Sequence, residues 1–195
     1  FVPVKASERL KALEENKVDM VLATFTITNE RKQLVDFTTP YFAVNIGVLT
    51  RAGDRIKTVS DLHDKPIIAE TGTTGEAYFK KEGFEIVNCA TANECYKMLK
   101  DGKGIGYATD NLIVLAYAVI DSDTEVNIKN LGVSDFLGIA VSKGNKDLLE
   151  FLNGELVKLS KNGFMKKTYD ETIEPYYKGT AEKKYFLLDD LYSLF

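Results

Sequence analysis

The sequence predicts an α/β protein, because short apolar segments that suit buried strands alternate with amphipathic segments that suit helices. Residues 66–70 form an apolar run that leads through a glycine turn into a helical stretch, and 105–110 lead directly into an apolar helix. Repeated strand–helix order is typical of mostly parallel sheets with helices on both faces. Ligands of such sheets bind beyond the carboxyl ends of the strands, so we expect the functional residues there.

The first part of the chain opens with an amphipathic helix that leads into a buried strand. Leu10 and Leu13 lie three residues apart, which places both on one helix face. Thr28 can cap a second helix, and Pro40 interrupts the chain after that helix. The predicted elements are a helix over 7–17, a strand over 18–23, a helix over 30–37 and an extended segment over 45–50.

The remainder of the chain repeats the strand–helix order. Gly83 closes one helix, and Thr91 with Glu94 three residues later forms a capping box for the next. The predicted strands lie at 66–70, 85–89, 105–110 and 136–142. The predicted helices lie at 76–81, 91–101 and 111–119, and further helices occupy 146–176.

Composition narrows the function classes. With 195 residues and 45% hydrophobic content, the chain can bury a core as one or two compact lobes. Lysine plus arginine total 25 and aspartate plus glutamate 29, which gives a net charge of −4 with both signs interleaved. This balance argues against nucleic acid as the main partner. The longest apolar runs, such as 112–120, are too short to span a bilayer, so we expect no transmembrane segment.

Histidine and cysteine usage gives a metal centre little support. His63 is the only histidine, which also disfavours a histidine-based catalytic triad. Cys89 and Cys95 lie six residues apart, a spacing that matches no zinc or redox pattern. A disulfide and a pair of buried reduced thiols both remain open, and we favour the thiols. We expect no cofactor.

Three predicted strand ends carry the polar groups that a small zwitterion needs. They supply an arginine with threonines, a glycine–threonine helix start and a carboxylate: Thr24, Thr26 and Arg31; Gly72, Thr73 and Thr74; and Asp110. Hydroxyls, helix N–H groups and a guanidinium suit a carboxylate, and an aspartate suits an ammonium group. An α-amino acid presents both charges. The alternatives are a capped helix with a surface arginine, a tight turn and a helix N-cap.

Nearly the whole chain resembles the type II periplasmic binding proteins of ABC importers, in the polar amino-acid group. The resemblance is carried by VDMVLATFTITNERKQLVDFTTPYF at 18–42, by the GTT turn at 72–74 and by ATD at 108–110. It implies two α/β lobes, at 1–47 with 138–195 and at 48–137, joined by hinge strands near 45–51 and 137–143, which close over the ligand. The strand and helix that open the family fold have no counterpart here. Because 1–4 is strand-like and has neither an initiator methionine nor a signal region, we interpret the chain as processed or truncated.

The resemblance also implies roles for the candidate residues. Arg31 clamps the ligand α-carboxylate with help from the amides of Thr26 and Thr74, and Asp110 takes the α-ammonium group. Thr24 lies beside the ligand. Phe25, Gly72 and Thr73 are also expected to contact the ligand. Arg9 and Glu70 are included because they would affect which ligand is bound.

Ligand identity follows less directly from these residues. Arg9 matches an arginine that acidic-amino-acid binders of this group place near the ligand side chain, although a solvated helix residue is the alternative. Glu70 would repel a second carboxylate if it pointed inward. The segments 99–118, 130–132 and 141–145 resemble cysteine-binding members most. We therefore expect cysteine or cystine first and aspartate or glutamate next.

Proteins of two other functional classes have a similar two-lobe fold. One is a cyclohexadienyl dehydratase-like enzyme, and the other is the ligand-sensing module of a receptor. The expected role of Asp110 as the partner of the ligand ammonium group favours binding without catalysis. We therefore expect a monomer that hands an amino acid to the membrane permease of an ABC transporter, located in the periplasm or as a cell-surface lipoprotein, with the signal segment outside this chain. Residues 178–195 are expected to pack back on a lobe through Tyr185, Phe186, Leu187 and Leu191.

Overall fold

The structure is a computed structural model that describes residues 1–192, apart from the side chains of Asp190 and Leu191. The chain divides into two compact units. The first unit comprises Phe1–Val4, Glu8–Val44 and the chain from Asp135 onward, and the second comprises Lys5–Ser7 and Asn45–Ser134. The chain therefore passes between the units twice in its middle part, at 44–45 and at 134–135.

The helices and strands alternate through most of the chain. The strands are β1 Met20–Val21, β2 Val35–Phe37, β3 Phe42–Arg51, β4 Ile67–Glu70, β5 Ile86–Cys89, β6 Gly106–Asp110, β7 Thr124–Leu137 and β8 Ala140–Ser142. The helices are α1 Arg9–Glu14, α2 Asn29–Leu34, α3 Thr74–Lys81, α4 Ala92–Lys100, α5 Asn111–Ile120, α6 Lys146–Lys161, α7 Phe164–Thr172, α8 Glu174–Tyr177 and α9 Asp189–Tyr192. None of these described helices has both the length and the apolar character that crossing a membrane requires.

The second unit is built on a five-stranded mixed sheet in the order β5-β4-β6-β3-β7. β4 runs parallel to β5 and to β6, whereas β3 runs antiparallel to β6. Neighbouring residues along the central strands point to opposite faces, and both faces are apolar. Ile67 packs with Phe79 of α3 on one face, and Ile68 packs with Leu99 of α4 on the other. Helices therefore cover both faces, which confirms the predicted α/β class.

The first unit contains a three-stranded sheet in the order β1-β8-β2. Both of its pairings are antiparallel, whereas parallel pairs such as the sequence predicted occur within β5-β4-β6 of the second unit. β1 is also shorter than the predicted strand over 18–23, because only Met20 and Val21 pair with β8. Phe37, predicted at the end of a helix, lies in β2 instead.

Residues 124–135 of the long strand β7 have no counterpart in the sequence prediction, and the predicted strand over 136–142 is divided between the end of β7 and β8. Most of the 14 residues of β7 are exposed or half-buried, and they lack the regular alternation of apolar and polar residues that marks a strand. Its pairing with β3 in the sheet sets its conformation instead. The second passage between the units falls inside β7, at Ser134–Asp135.

Cys89 and Cys95 form a disulfide, with their Cα atoms 5.3 Å apart, which corrects the expectation of two reduced thiols. The bond joins the end of β5 to the first turn of α4 and is almost fully buried. The two cysteines lie six positions apart in the sequence. That spacing left both states open in the sequence, and the fold decides between them by bringing the strand end beside the helix.

The C-terminal segment packs on the first unit, as predicted for Phe186 and Leu187. Phe186 is buried and stacks on Phe42, and Leu187 forms a β-bridge with Phe42. Tyr185 is exposed instead, and the side chain of Leu191 lies outside the described residues. Tyr192 is buried, and its hydroxyl donates a hydrogen bond to the carbonyl of Pro40.

We predict that the double variant Cys89→Ser/Cys95→Ser lowers the free energy of unfolding by about 2 kcal/mol, the chain-entropy estimate for so short a loop. Urea unfolding of the wild-type protein and of the double variant measures the difference. Dithiothreitol should lower the wild-type midpoint and leave that of the double variant unchanged. Equal midpoints for the double variant and for the wild type without reductant would contradict the prediction.

Candidate functional site

The candidate residues of the first unit gather around the buried ring of Phe25. This ring is 1% exposed and packs among Leu13, Val21 and Val35, so its position is fixed by the core. Thr26 is also buried and forms a β-bridge with Leu137. The backbone from 24 to 26 is therefore anchored on both sides of the ring.

Arg31 is held against this segment by two contacts. Its Nη1 donates a hydrogen bond to the carbonyl oxygen of Thr26 at 2.7 Å, and its guanidinium carbon lies 4.7 Å from the centroid of the Phe25 ring. The helix that carries it, α2, begins after Thr28, whose hydroxyl accepts from the Arg31 N–H at 3.2 Å. The predicted cap at Thr28 is therefore present, and the guanidinium is oriented by a carbonyl and a ring face.

Arg9 lies at the same aromatic ring. Its Nη1 donates to the carbonyl oxygen of Thr24 at 2.7 Å, and its guanidinium carbon lies 5.5 Å from the Phe25 centroid. The first unit thus brings Arg9 and Arg31 to one short segment, although they are far apart in sequence. Two guanidinium groups at one ring concentrate positive charge, which favours an anionic ligand group.

The candidate residues of the second unit begin at the turn after β4. Gly72 has φ +85°, a conformation that side-chain-bearing residues rarely adopt, and an added Cβ would lie 3.0 Å from the Cα of Ser7. The Thr73 hydroxyl donates to the carbonyl of Glu70 at 2.7 Å and accepts from the Glu76 N–H at 3.2 Å. Thr73 is therefore the N-cap of α3, which starts at Thr74.

Gly75 brings the start of α3 against the end of β6. A Cβ at Gly75 would lie 3.0 Å from the carbonyl oxygen of Ala108, so any other residue there would push the helix start away from the strand. Asp110 closes β6 and directly precedes α5, and it is 7% exposed. The second unit therefore brings the turn at 72–74 and the Asp110 strand end close together, as expected for adjacent parallel strands.

Glu70 lies on the other face of the sheet from Asp110. Strand alternation places Glu70 with Ile68, which packs in the cluster that contains Tyr107. Burial raises the pKa of Tyr107, and the negative charge of Glu70 raises it further. Burial and Glu70 raise the pKa of Tyr117 in the same way. The charge of Glu70 thus acts on both of these tyrosines.

Sequence reasoning missed Glu76, which accepts three hydrogen bonds beneath the turn at 72–74. The signal was present in the sequence, because a threonine followed three residues later by glutamate is a capping-box spacing. Thr73 and Glu76 have the same spacing as Thr91 and Glu94, which was recognised. Among residues 1–192, no group of histidine, cysteine, aspartate and glutamate is arranged to hold a metal ion.

Residues 1–175 match the family of bacterial extracellular solute-binding proteins, family 3, and the chain belongs to this family. Its relatives include the ABC transporter glutamine-binding protein GlnH of Bacillus subtilis, 30% identical over 91% of this chain, and the L-cystine-binding protein TcyJ of Escherichia coli, 29% identical over 83%. The chain spans 64% and 62% of the length of these relatives, which is less than two thirds.

Solved structures of amino-acid-binding proteins are also similar to this chain. A solute receptor for L-cysteine of Neisseria gonorrhoeae has a TM-score of 0.92 and 36% identity, over 96% of this chain and 77% of that one. The cysteine-binding protein of Campylobacter jejuni has a TM-score of 0.92 and 34% identity, with the same coverage. An ancestral amino acid-binding protein described as a precursor of cyclohexadienyl dehydratase has a TM-score of 0.79 and 29% identity, over 88% of this chain and 75% of that one. The fold is that of the type II periplasmic binding proteins.

We predict that Gly75→Ala destabilises the protein by about 1–3 kcal/mol, because its methyl group would be forced against the Ala108 carbonyl. Gly154→Ala is the matched control, since Gly154 also lies in a helix but has no atom within 4 Å of an added Cβ. It should stabilise the protein by about 0.5–1 kcal/mol through helix propensity. Thermal unfolding distinguishes the two, and a Gly75→Ala variant as stable as the wild type would contradict the prediction.

Proposed function

We propose that this chain is the substrate-binding component of an amino-acid ABC importer and that it captures a polar L-amino acid. The observation that carries the proposal is the oriented guanidinium of Arg31, which rests on the Phe25 ring and on the Thr26 carbonyl. An arginine whose rotamer is already fixed loses little conformational entropy when it makes a bidentate bond to a carboxylate.

The second unit supplies groups for both charges of the ligand. The buried carboxylate of Asp110 suits the α-ammonium group, and the Thr74 N–H at the start of α3 suits the α-carboxylate. Each charge-assisted hydrogen bond contributes roughly 1.5–3 kcal/mol net. Four such bonds would approach the roughly 8 kcal/mol of a micromolar complex before ordering costs.

We propose cysteine or cystine as the preferred ligand and aspartate or glutamate as the second candidate. The first choice is supported by the two cysteine-binding structures and by the cystine-binding relative. The second is supported by the position of Arg9, because a second guanidinium at the Phe25 ring could receive a side-chain carboxylate. One relative is named a glutamine-binding protein, so glutamine is also a ligand to be tested.

We propose that the chain binds its ligand without transforming it. The relatives named above are binding proteins, including the one described as a precursor of an enzyme. A ligand bound through its own ammonium and carboxylate groups leaves no proton transfer for Asp110 to perform. We further propose that the protein acts as a monomer in the periplasm or as a cell-surface lipoprotein, and that its partner is a membrane permease.

A thermal-shift screen of the protein against the common L-amino acids and L-cystine tests the proposal. A ligand at a thousand times its dissociation constant stabilises the folded state by about 4 kcal/mol, which raises the midpoint by roughly 10 °C for a chain of this size. Cystine or cysteine should give the largest shift. A screen in which no amino acid shifts the midpoint would refute the proposed function, and turnover of prephenate or arogenate would favour the enzyme.

We predict that Arg31→Ala weakens binding of the amino acid found in that screen by at least about thirtyfold, because losing one partner of a hydrogen-bonded charge pair costs roughly 2–5 kcal/mol. Arg31→Lys should recover only part of the affinity, since an ammonium group cannot make the planar fork. Lys32→Ala, which removes an exposed charge from the same helix, should bind as the wild type does. Calorimetry measures all three, and wild-type affinity for Arg31→Ala would exclude the carboxylate clamp.

We predict that Asp110→Asn weakens binding by roughly tenfold or more, because an amide provides a neutral acceptor where the ammonium group requires a charge. Asp101→Asn is the control, since Asp101 is exposed at the end of α4. The same calorimetric titration measures both variants. If Asp110→Asn binds unchanged, the Asp110 carboxylate does not bind the ammonium group, and Asp110 is only the residue that precedes α5.

A further inference from the structure

Glu76 is a buried carboxylate that joins three parts of the second unit. It is 8% exposed and lies in the first turn of α3. Its Oε2 accepts from the Gly72 N–H at 2.7 Å. Its Oε1 accepts from Lys80 Nζ at 2.6 Å and from Asn88 Nδ2 at 2.7 Å. One side chain therefore connects the turn after β4 with α3 and with β5.

These hydrogen bonds keep Glu76 ionised. Burial by itself raises the pKa of the carboxyl group, but the bonds from Lys80, Gly72 and Asn88 together outweigh burial and lower it. A charge-assisted bond from a backbone N–H to a carboxylate is stronger and shorter than a neutral one. The bond to Gly72 therefore holds the turn more firmly than an ordinary turn hydrogen bond.

The turn needs such support because its local geometry is unusual. Gly72 has φ +85° and lies close to the backbone of Ser7. The N–H of Thr71 donates to the Cys89 carbonyl at 3.1 Å, which fixes the residue before it. The Thr73 hydroxyl fixes the residue after it. Glu76 provides the bond to Gly72 itself, between these two fixed points.

We propose that Glu76 is a positioning residue for amino-acid binding, which fixes the turn at 72–74, and with it the Thr74 N–H at the start of α3, without contacting the ligand. The proposal rests on the proposed function, because it assigns the turn at 72–74 to the ligand. Its consequence is that affinity depends on a side chain that is directed into the protein. A residue that only stabilised the fold would lower the unfolding midpoint and leave the affinity of the folded protein unchanged.

The first experiment measures amide hydrogen exchange at Gly72 by NMR in the ligand-free protein. Exchange should be slow in the wild type, faster in Glu76→Gln and fastest in Glu76→Ala, because glutamine retains a neutral acceptor. Glu94→Ala is the matched control. Glu94 has the same capping-box spacing and accepts from the Ala90 N–H at 2.8 Å, but it is exposed at the start of α4. It should leave exchange at Gly72 unchanged.

The second experiment titrates the same proteins with L-cystine, L-cysteine, L-glutamate and L-glutamine in a calorimeter. Glu76→Ala should bind the wild-type ligand at least roughly tenfold more weakly, which is the loss expected when one charge-assisted bond no longer orders the turn. Glu76→Gln should fall between Glu76→Ala and the wild type. Glu94→Ala should bind as the wild type does, even if its unfolding midpoint falls.

The two measurements separate the proposals. Unchanged exchange at Gly72 in Glu76→Ala would overturn the positioning role, whatever the affinities are. Faster exchange with wild-type affinity would also overturn it, because the turn would then not set binding. If the wild type binds none of the amino acids while exchange at Gly72 responds as expected, the proposed function fails and the structural brace at Gly72 stands. If Glu76→Ala does not fold, the conservative Glu76→Gln variant decides both readouts.

Discussion

The parallel pairing of β4 with β6 is the constraint on which the candidate site of the second unit depends. Ile67 pairs with Gly106 and Ala69 with Ala108, so the two strands end side by side. The turn that follows β4 and the aspartate that closes β6 are neighbours for that reason. Gly75 then sets how near they come, because any side chain there would meet the Ala108 carbonyl. The parallel pairing and the glycine at 75 thus set the spacing between the turn at 72–74 and Asp110 within the second unit.

The two units carry opposite electrostatic characters at their candidate residues. In the first unit, two guanidinium groups lie at the Phe25 ring, and the carbonyls of Thr24 and Thr26 offset part of their mutual repulsion. In the second unit, Asp110 is a buried carboxylate at a strand end. The charge of Glu76 is balanced by its own three donors, so it adds little to the field at the turn. Each unit thus carries the complement of one charge of the proposed zwitterionic ligand.

The strand–helix alternation from 66 to 119 could be predicted because its signals are local. Apolar runs, glycine at the turns and the threonine caps of α3 and α4 all lie within a few residues of the element that they define. Most of β7, at 124–135, could not be predicted, since its exposed residues carry no periodic pattern and a partner strand sets its conformation. The grouping of Arg9 with Arg31 also depends on tertiary packing, because α1 must first dock through Leu13. The capping-box spacing of Thr73 and Glu76 could be recognised in the sequence, but the buried hydrogen bond from Gly72 to Glu76 could not.

Under the proposed function, Arg31 serves the recognition of any α-amino acid, whereas Arg9 bears on which amino acid is bound. Arg31 is tied to the Thr26 carbonyl, the Phe25 ring and the capped start of α2, so replacing it disturbs several contacts at once. Arg9 begins α1, which packs through Leu13 and Ala12, and its guanidinium contacts the Thr24 carbonyl and the same ring. Relatives at 29–36% identity carry the names of glutamine, cystine and cysteine binders. Under the proposed function, such variation is expected in the residues that face the ligand side chain, because every amino acid presents the same α-carboxylate and α-ammonium groups.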